Sequence, residues 1–149
     1  MKLIFARVLG GCAFALLTGC NTIPESIRVE EGTNLAQFAD VRAVPDGATG
    51  ELARWGGVIA KVENQAEYSM IEVVNMTLNS SARPKVENKT EGRFRVYAKG
   101  LLDPIIYKEG KEITIVGKVT GSELGKIGEH EYNYPRIDAE KLYLWKKRK

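Results

Sequence analysis

Cysteine and histidine are almost missing from this sequence, whose 149 residues hold two cysteines and one histidine. Both cysteines, Cys12 and Cys20, lie near the start. The chain beyond Cys20 therefore has no thiol for catalysis, for thiolate ligation or for an internal disulfide. A zinc site draws mainly on Cys and His, so no metal ligand set can be assembled, and no cofactor is expected. The lone histidine, His130, stands between Glu129 and Glu131 and reads as a solvated loop residue. No Gly-x-Ser-x-Gly elbow supplies a nucleophile. The stretch Gly121 to Ile127 brushes against a phosphate-binding loop, but three residues separate its glycines where four are needed. Ile127 also stands where Ser or Thr must hold magnesium. Long apolar runs are missing too. Val8 to Leu17 is interrupted by Gly10 and Gly11, and it falls short of the roughly 20 residues that span a bilayer.

What the first twenty residues do contain is ordered. Lys2 and Arg7 precede the apolar stretch, and small residues follow it. That is the pattern of a secretory signal peptide. Its exit, Leu17-Thr18-Gly19-Cys20, resembles the lipobox of bacterial lipoproteins. The resemblance implies lipid attachment to the Cys20 sulfur and cleavage just before it, by the lipoprotein export and sorting machinery. It also implies that Asn21, which is not Asp, directs the protein to the outer membrane. Loss of residues 1–19 removes Lys2 and Arg7 and no acidic residue, so the net charge falls from +3 to +1. No global electrostatic argument for nucleic acid survives.

The chain then divides into a signal peptide over residues 1–19, a lipidated tether and edge element over 20–50, and a β domain over 51–149. Thr33 to Phe38 suggests a single helical turn with a polar cap. Pro45-Asp46-Gly47 is a turn signal. Trp55 to Val62 reads as a strand whose Gly56-Gly57 pair marks a bulge or tight bend. Tyr68 to Leu78 is a second strand, and Asn79 to Gly92 a long polar loop. In Arg93 to Ala98 the alternation places Phe94, Val96 and Ala98 on one face and Arg93, Arg95 and Tyr97 on the other. Leu101 to Tyr107 cannot continue that strand past Pro104, and its apolar residues are expected to plug one end of a core. Glu112 to Thr120 is a strand with Ile113, Ile115 and Val119 inward. Gly121, Gly125 and Gly128 predict a loop, and a last strand runs from Arg136 to Trp145. Helical periodicity is nowhere sustained. These features predict an all-β fold, a small antiparallel OB-like barrel of five or six strands, with a β-sandwich as the alternative.

Several phrases recur in a known family. They are Arg54-Trp55-Gly56-Gly57-Val58-Ile59-Ala60, Ile71-Glu72-Val73-Val74, Gly92-Arg93-Phe94, Leu102-Asp103-Pro104, Tyr107, Ile113-Thr114-Ile115-Val116-Gly117, Ile127-Gly128-Glu129 and Tyr134-Pro135. With the lipobox and Ile23-Pro24, the chain resembles the Slp family of starvation-inducible outer-membrane lipoproteins over nearly its whole mature length. The resemblance implies a non-enzymatic lipoprotein with a role in envelope maintenance or stress, its domain facing the periplasm.

Two other classes compete with that expectation. Arg54 and Trp55, with Arg93, Arg95 and Tyr97, are the residue types of a basic, aromatic platform for a small ligand, a glycan or a lipid head group. The partner, an envelope protein or a glycan, is left open by the sequence. Trp in the core beside solvated arginines is the plainer reading of the same residues. A hydrolase would have to draw on Glu129 with Glu131, or Asp103 with Glu109, as an acid–base pair across a cleft. The basic tail, Lys146 to Lys149, fits either a lipid surface or a solvated end.

Overall fold

The structure, a computed structural model, describes residues 10–12 and 22–149. The rest of the signal peptide, with Leu17, Thr18 and Gly19, lies outside the described residues, as do Cys20 and Asn21. Five strands form one sheet: β1 (Leu52–Asn64), β2 (Tyr68–Met76), β3 (Arg93–Lys99), β4 (Glu112–Ile127) and β5 (His130–Leu144). They close into a barrel in the order β1-β2-β3-β5-β4, with β4 returning to β1. This is the OB-like barrel expected from the strand pattern. Four seams are antiparallel, and the closing seam of β3 against β5 is parallel.

The inward faces follow the alternation of the sequence. Phe94, Val96 and Ala98 of β3 are buried, as are Ile113, Ile115 and Val119 of β4. β1 pairs with β2 on one side and β4 on the other, so its middle is crowded. There Gly57 lies against the Val74 carbonyl, where any Cβ would overlap the oxygen. The glycine pair thus serves close approach, and the irregularity of β1 falls further on, between Ile59 and Lys61.

Residues 121 to 128 differ from the expected loop. β4 runs through them to Ile127, and β5 already begins at His130, well before Arg136. Gly125 pairs with Tyr132 and Leu124 with Asn133, so the ladder continues as a long two-stranded arm. Gly121, with φ +103°, takes up the register shift between Val119 and Ser122. Only Gly128 and Glu129 remain as the turn. Glycine suggested a loop here, but the backbone hydrogen bonds of the arm prevail over the low strand propensity of glycine.

A short α-helix, α1 (Phe38–Ala43), precedes β1 among the described residues, flanked by 3-10 turns at Glu25–Ile27 and Pro45–Ala48. It starts where the expected helical turn ends, and it sends Phe38 and Val41, three apart on one face, into the barrel core. Beyond β3, Leu102 and Tyr107 join the same core. Leu101, Ile105 and Ile106 do not; they are exposed. A tight turn causes this, with the amides of Ile106 and Tyr107 both donating to the Asp103 carbonyl. A second, smaller core sits on the outside of the barrel. Ile27, Ala82 and Val116 form it, and Ile23, Leu52, Tyr143 and Trp145 pack around them.

Candidate functional site

Trp55 belongs to the inner face of β1 and is 4% exposed. Its ring meets Phe38 edge-on at 5.3 Å and Phe94 at 5.4 Å, and its indole N–H donates to the Ala36 carbonyl at 2.9 Å. The next residue back, Arg54, points the opposite way and donates to the Ile27 carbonyl at 3.3 Å. Its Nε is buried without a partner, and burial lowers its pKa. Arg54 and Trp55 are therefore on opposite sides of a strand. Neither joins the other three platform residues, and Trp55 is a core residue.

Arg93, Arg95 and Tyr97 do share the outer face of β3, as their alternation requires. The register of β2 on β3 brings Glu72 opposite Arg95. Glu72 is only 5% exposed, and both arginines satisfy it. Arg93 Nη1 donates to it at 2.8 Å and Arg95 Nη2 at 3.3 Å. Arg95 also reaches Glu123 of the β4–β5 arm at 3.3 Å and lies over the Tyr134 ring at 4.0 Å. Gly125 clears the space for this, since a Cβ there would press on Arg95 and Tyr134. The arm thus folds over the outer face of β2 and β3, and Tyr132 accepts the Arg93 backbone N–H at 2.9 Å. In OB-like barrels that face and the β4–β5 loop are where oligomeric ligands bind. Here the protein's own arm covers part of it and carboxylates neutralise its arginines.

Beside the arm the face stays open. Tyr97 donates its hydroxyl proton to Glu123, and Arg136 lies over its ring at 3.9 Å. Burial, followed by the hydrogen bond to Glu123, pushes the Tyr97 hydroxyl up to about 12. Tyr68 packs near Tyr97 at 5.7 Å. Tyr68, Tyr97, Lys99, Arg136 and Asp138 border a groove of about 520 Å³. Arg136 is loosely held there: its Nε is 3.7 Å from Asp138 and has no hydrogen-bond partner. Glu72, Glu123, Tyr134, Arg136 and Tyr68 were not readable as one site in the sequence. Only strand register and the fold of the arm bring them together.

The residues considered for hydrolysis are dispersed. Glu129, His130 and Glu131 stand exposed around the tip of the arm, and Asp103 and Glu109 are exposed in the β3–β4 connection. Among the described residues no three His, Cys, Asp or Glu side chains are grouped to hold a metal ion. The basic tail is not free. Arg148 donates to Glu112 at 3.0 Å and to the Pro84 carbonyl at 2.9 Å. Burial alone would raise the Glu112 pKa, but hydrogen bonds from Arg83 and Arg148 hold it below the usual carboxylate range.

Known proteins are similar to this chain in sequence. A family model described as the outer membrane lipoprotein Slp family matches residues 17–149. An uncharacterized lipoprotein of Escherichia coli K12, YeaY, is 32% identical over 144 residues, covering 97% of this chain and 74% of the relative. An uncharacterized protein of Haemophilus influenzae is 33% identical, covering 87% and 70%. The outer membrane protein Slp of Escherichia coli K12 is 29% identical, covering 87% and 69%.

Proposed function

The chain belongs to the Slp family of outer membrane lipoproteins, and from that membership we propose that it works as a non-enzymatic, lipid-anchored protein of the outer membrane. Cys20 carries the lipid after cleavage before it, Asn21 permits export outward, and the barrel faces the periplasm. There it serves envelope maintenance under stress by holding a binding surface close to the membrane. The observation that carries this reading is the extent of the family match, which begins at Leu17, the first residue of the lipobox, and continues to Lys149. The test replaces the anchor. Cys20→Ala should abolish incorporation of labelled fatty acid and move the protein out of the outer-membrane fraction. Recovery of the variant in that fraction at the wild-type level would sink the proposal.

The open groove favours one second reading. Two tyrosine rings beside Lys99, Arg136 and Asp138 suit a glycan, whose ring faces stack on aromatics while its hydroxyls meet charged groups. Tyr97→Ala should then lose retention on an envelope-glycan affinity matrix with little change in folding. Unchanged retention, or none in the wild type, argues against a glycan.

A further inference from the structure

The anchor allows very little slack. Ile23 packs against the outer core and Ile27 is fully buried in it. Cys20 precedes Ile23 by three residues, a span of about 10 Å even when fully extended. A barrel held through Cys20 must therefore keep the side that carries this outer core close to the lipid headgroups.

Trp145 packs on the same outer core as Ile23, and the basic tail follows it directly. The tail is fixed in place. The Lys146 carbonyl accepts from Arg83 Nη2 at 2.9 Å, and Arg148 is bound to Glu112 and Pro84. Arg83 also lies over the Trp145 ring at 5.3 Å. Glu112 is one carboxylate facing two guanidiniums, so this cluster keeps a positive charge. Lys146, Lys147 and Lys149 are exposed around it. Lys85 and Glu87 border the same shallow depression as Arg148, together with the exposed side chain of Val86. Glu25, Glu30 and Glu31 lie on the N-terminal segment that carries Ile23.

We propose that this pinned tail docks on anionic phospholipid headgroups of the leaflet that holds the Cys20 lipid, and so sets the orientation of the barrel on the membrane. The inference rests on the anchoring proposed above. Electrostatic attraction to a bilayer fades within about 8 Å at physiological ionic strength, and a leash of about 10 Å to the outer core that Trp145 shares lets the tail come within that range. Because the tail is already ordered, docking costs little conformational entropy.

Trp145 reports on it directly. The mature, lipidated protein is placed in vesicles of phosphatidylcholine, or of phosphatidylcholine with phosphatidylglycerol, each with a headgroup-labelled nitroxide lipid. Trp55, inside the barrel, is out of contact with the quencher. Quenching should be at least about two-fold stronger in the anionic vesicles, and high salt should remove the excess. Lys146→Gln, Lys147→Gln and Lys149→Gln together should remove it as well, with the melting temperature unchanged. Equal quenching in both vesicles, or an excess that survives the triple variant, overturns the docking. A shift in Trp145 emission with peptidoglycan fragments, and none with anionic lipid, assigns the tail to a glycan and also overturns it. Flotation separates the two readings. Protein that floats without excess quenching defeats only the docking, whereas protein that fails to float defeats the anchoring beneath it.

Discussion

A carboxylate withdrawn from water needs donors, and Glu72 has two arginines. Removing it leaves both facing a gap, and Arg95 is the worse placed because it is mostly covered by the arm. Glu72→Ala should lower stability by about 2–3 kcal/mol in urea unfolding, the lower end reflecting solvent screening at the more exposed Arg93. A loss below about 0.5 kcal/mol would place these ion pairs among the ineffective surface kind. Tyr97 gives a pH signature. Its folded pKa is raised to about 12, above the ordinary value of about 10. The unfolded chain therefore releases this proton first. The stability it contributes is whole below about pH 10 and is lost as pH climbs through 12. In a tyrosinate absorbance titration two of the six tyrosines should ionise late, Tyr134, raised first by its own burial, and Tyr97. Glu123→Gln should bring Tyr97 only part of the way down, because burial, the larger cause, remains. The sequence shows that Arg93, Arg95 and Tyr97 share a face, since alternation fixes that. It does not show which way Trp55 points. A tryptophan beside two glycines suits a surface platform and a core equally well, and Phe38, the ring that settles the matter, comes from another element.

At the scale of elements, two glycines show why the strand pattern was readable and the arm was not. Gly57 sits where the β2 backbone at Val74 presses on β1, and Gly57→Ala should cost about 3 kcal/mol or more in a thermal melt. Gly128 has φ +60° at the tip of the arm with nothing near its missing Cβ. Gly128→Ala should therefore cost only about 1 kcal/mol, the penalty of the left-handed conformation. Similar losses at the two sites would contradict this account. Both residues look alike in the sequence, as punctuation of strands. One fills a crowded seam and the other opens a turn, and only the pairing of distant strands decides which. The same limit hid Gly121 and Gly125 within β4. The inward set of β3 and β4 needed no such knowledge, because a period of two is a local property.

At the scale of the whole molecule, the segment before β1 is part of the barrel's interior. Phe38 and Val41 close over Trp55 and Phe94, and Ile27 completes the outer core. Removing residues 22–50 while keeping the anchor should abolish the cooperative melt; a sharp transition near the wild-type temperature would show that the barrel closes without it. The parallel seam has a further consequence, which concerns time. β5 is the last strand, and it alone joins β3 to β4, its parallel ladder with β3 running over Arg95, Val96 and Tyr97. Built from its N-terminal side, the chain lays down β1, β2 and β3 first, as an open meander. The sheet has nothing to close on until the final strand is in place. Tight packing of the interior therefore waits for β5, and a chain halted before it is left with an open sheet.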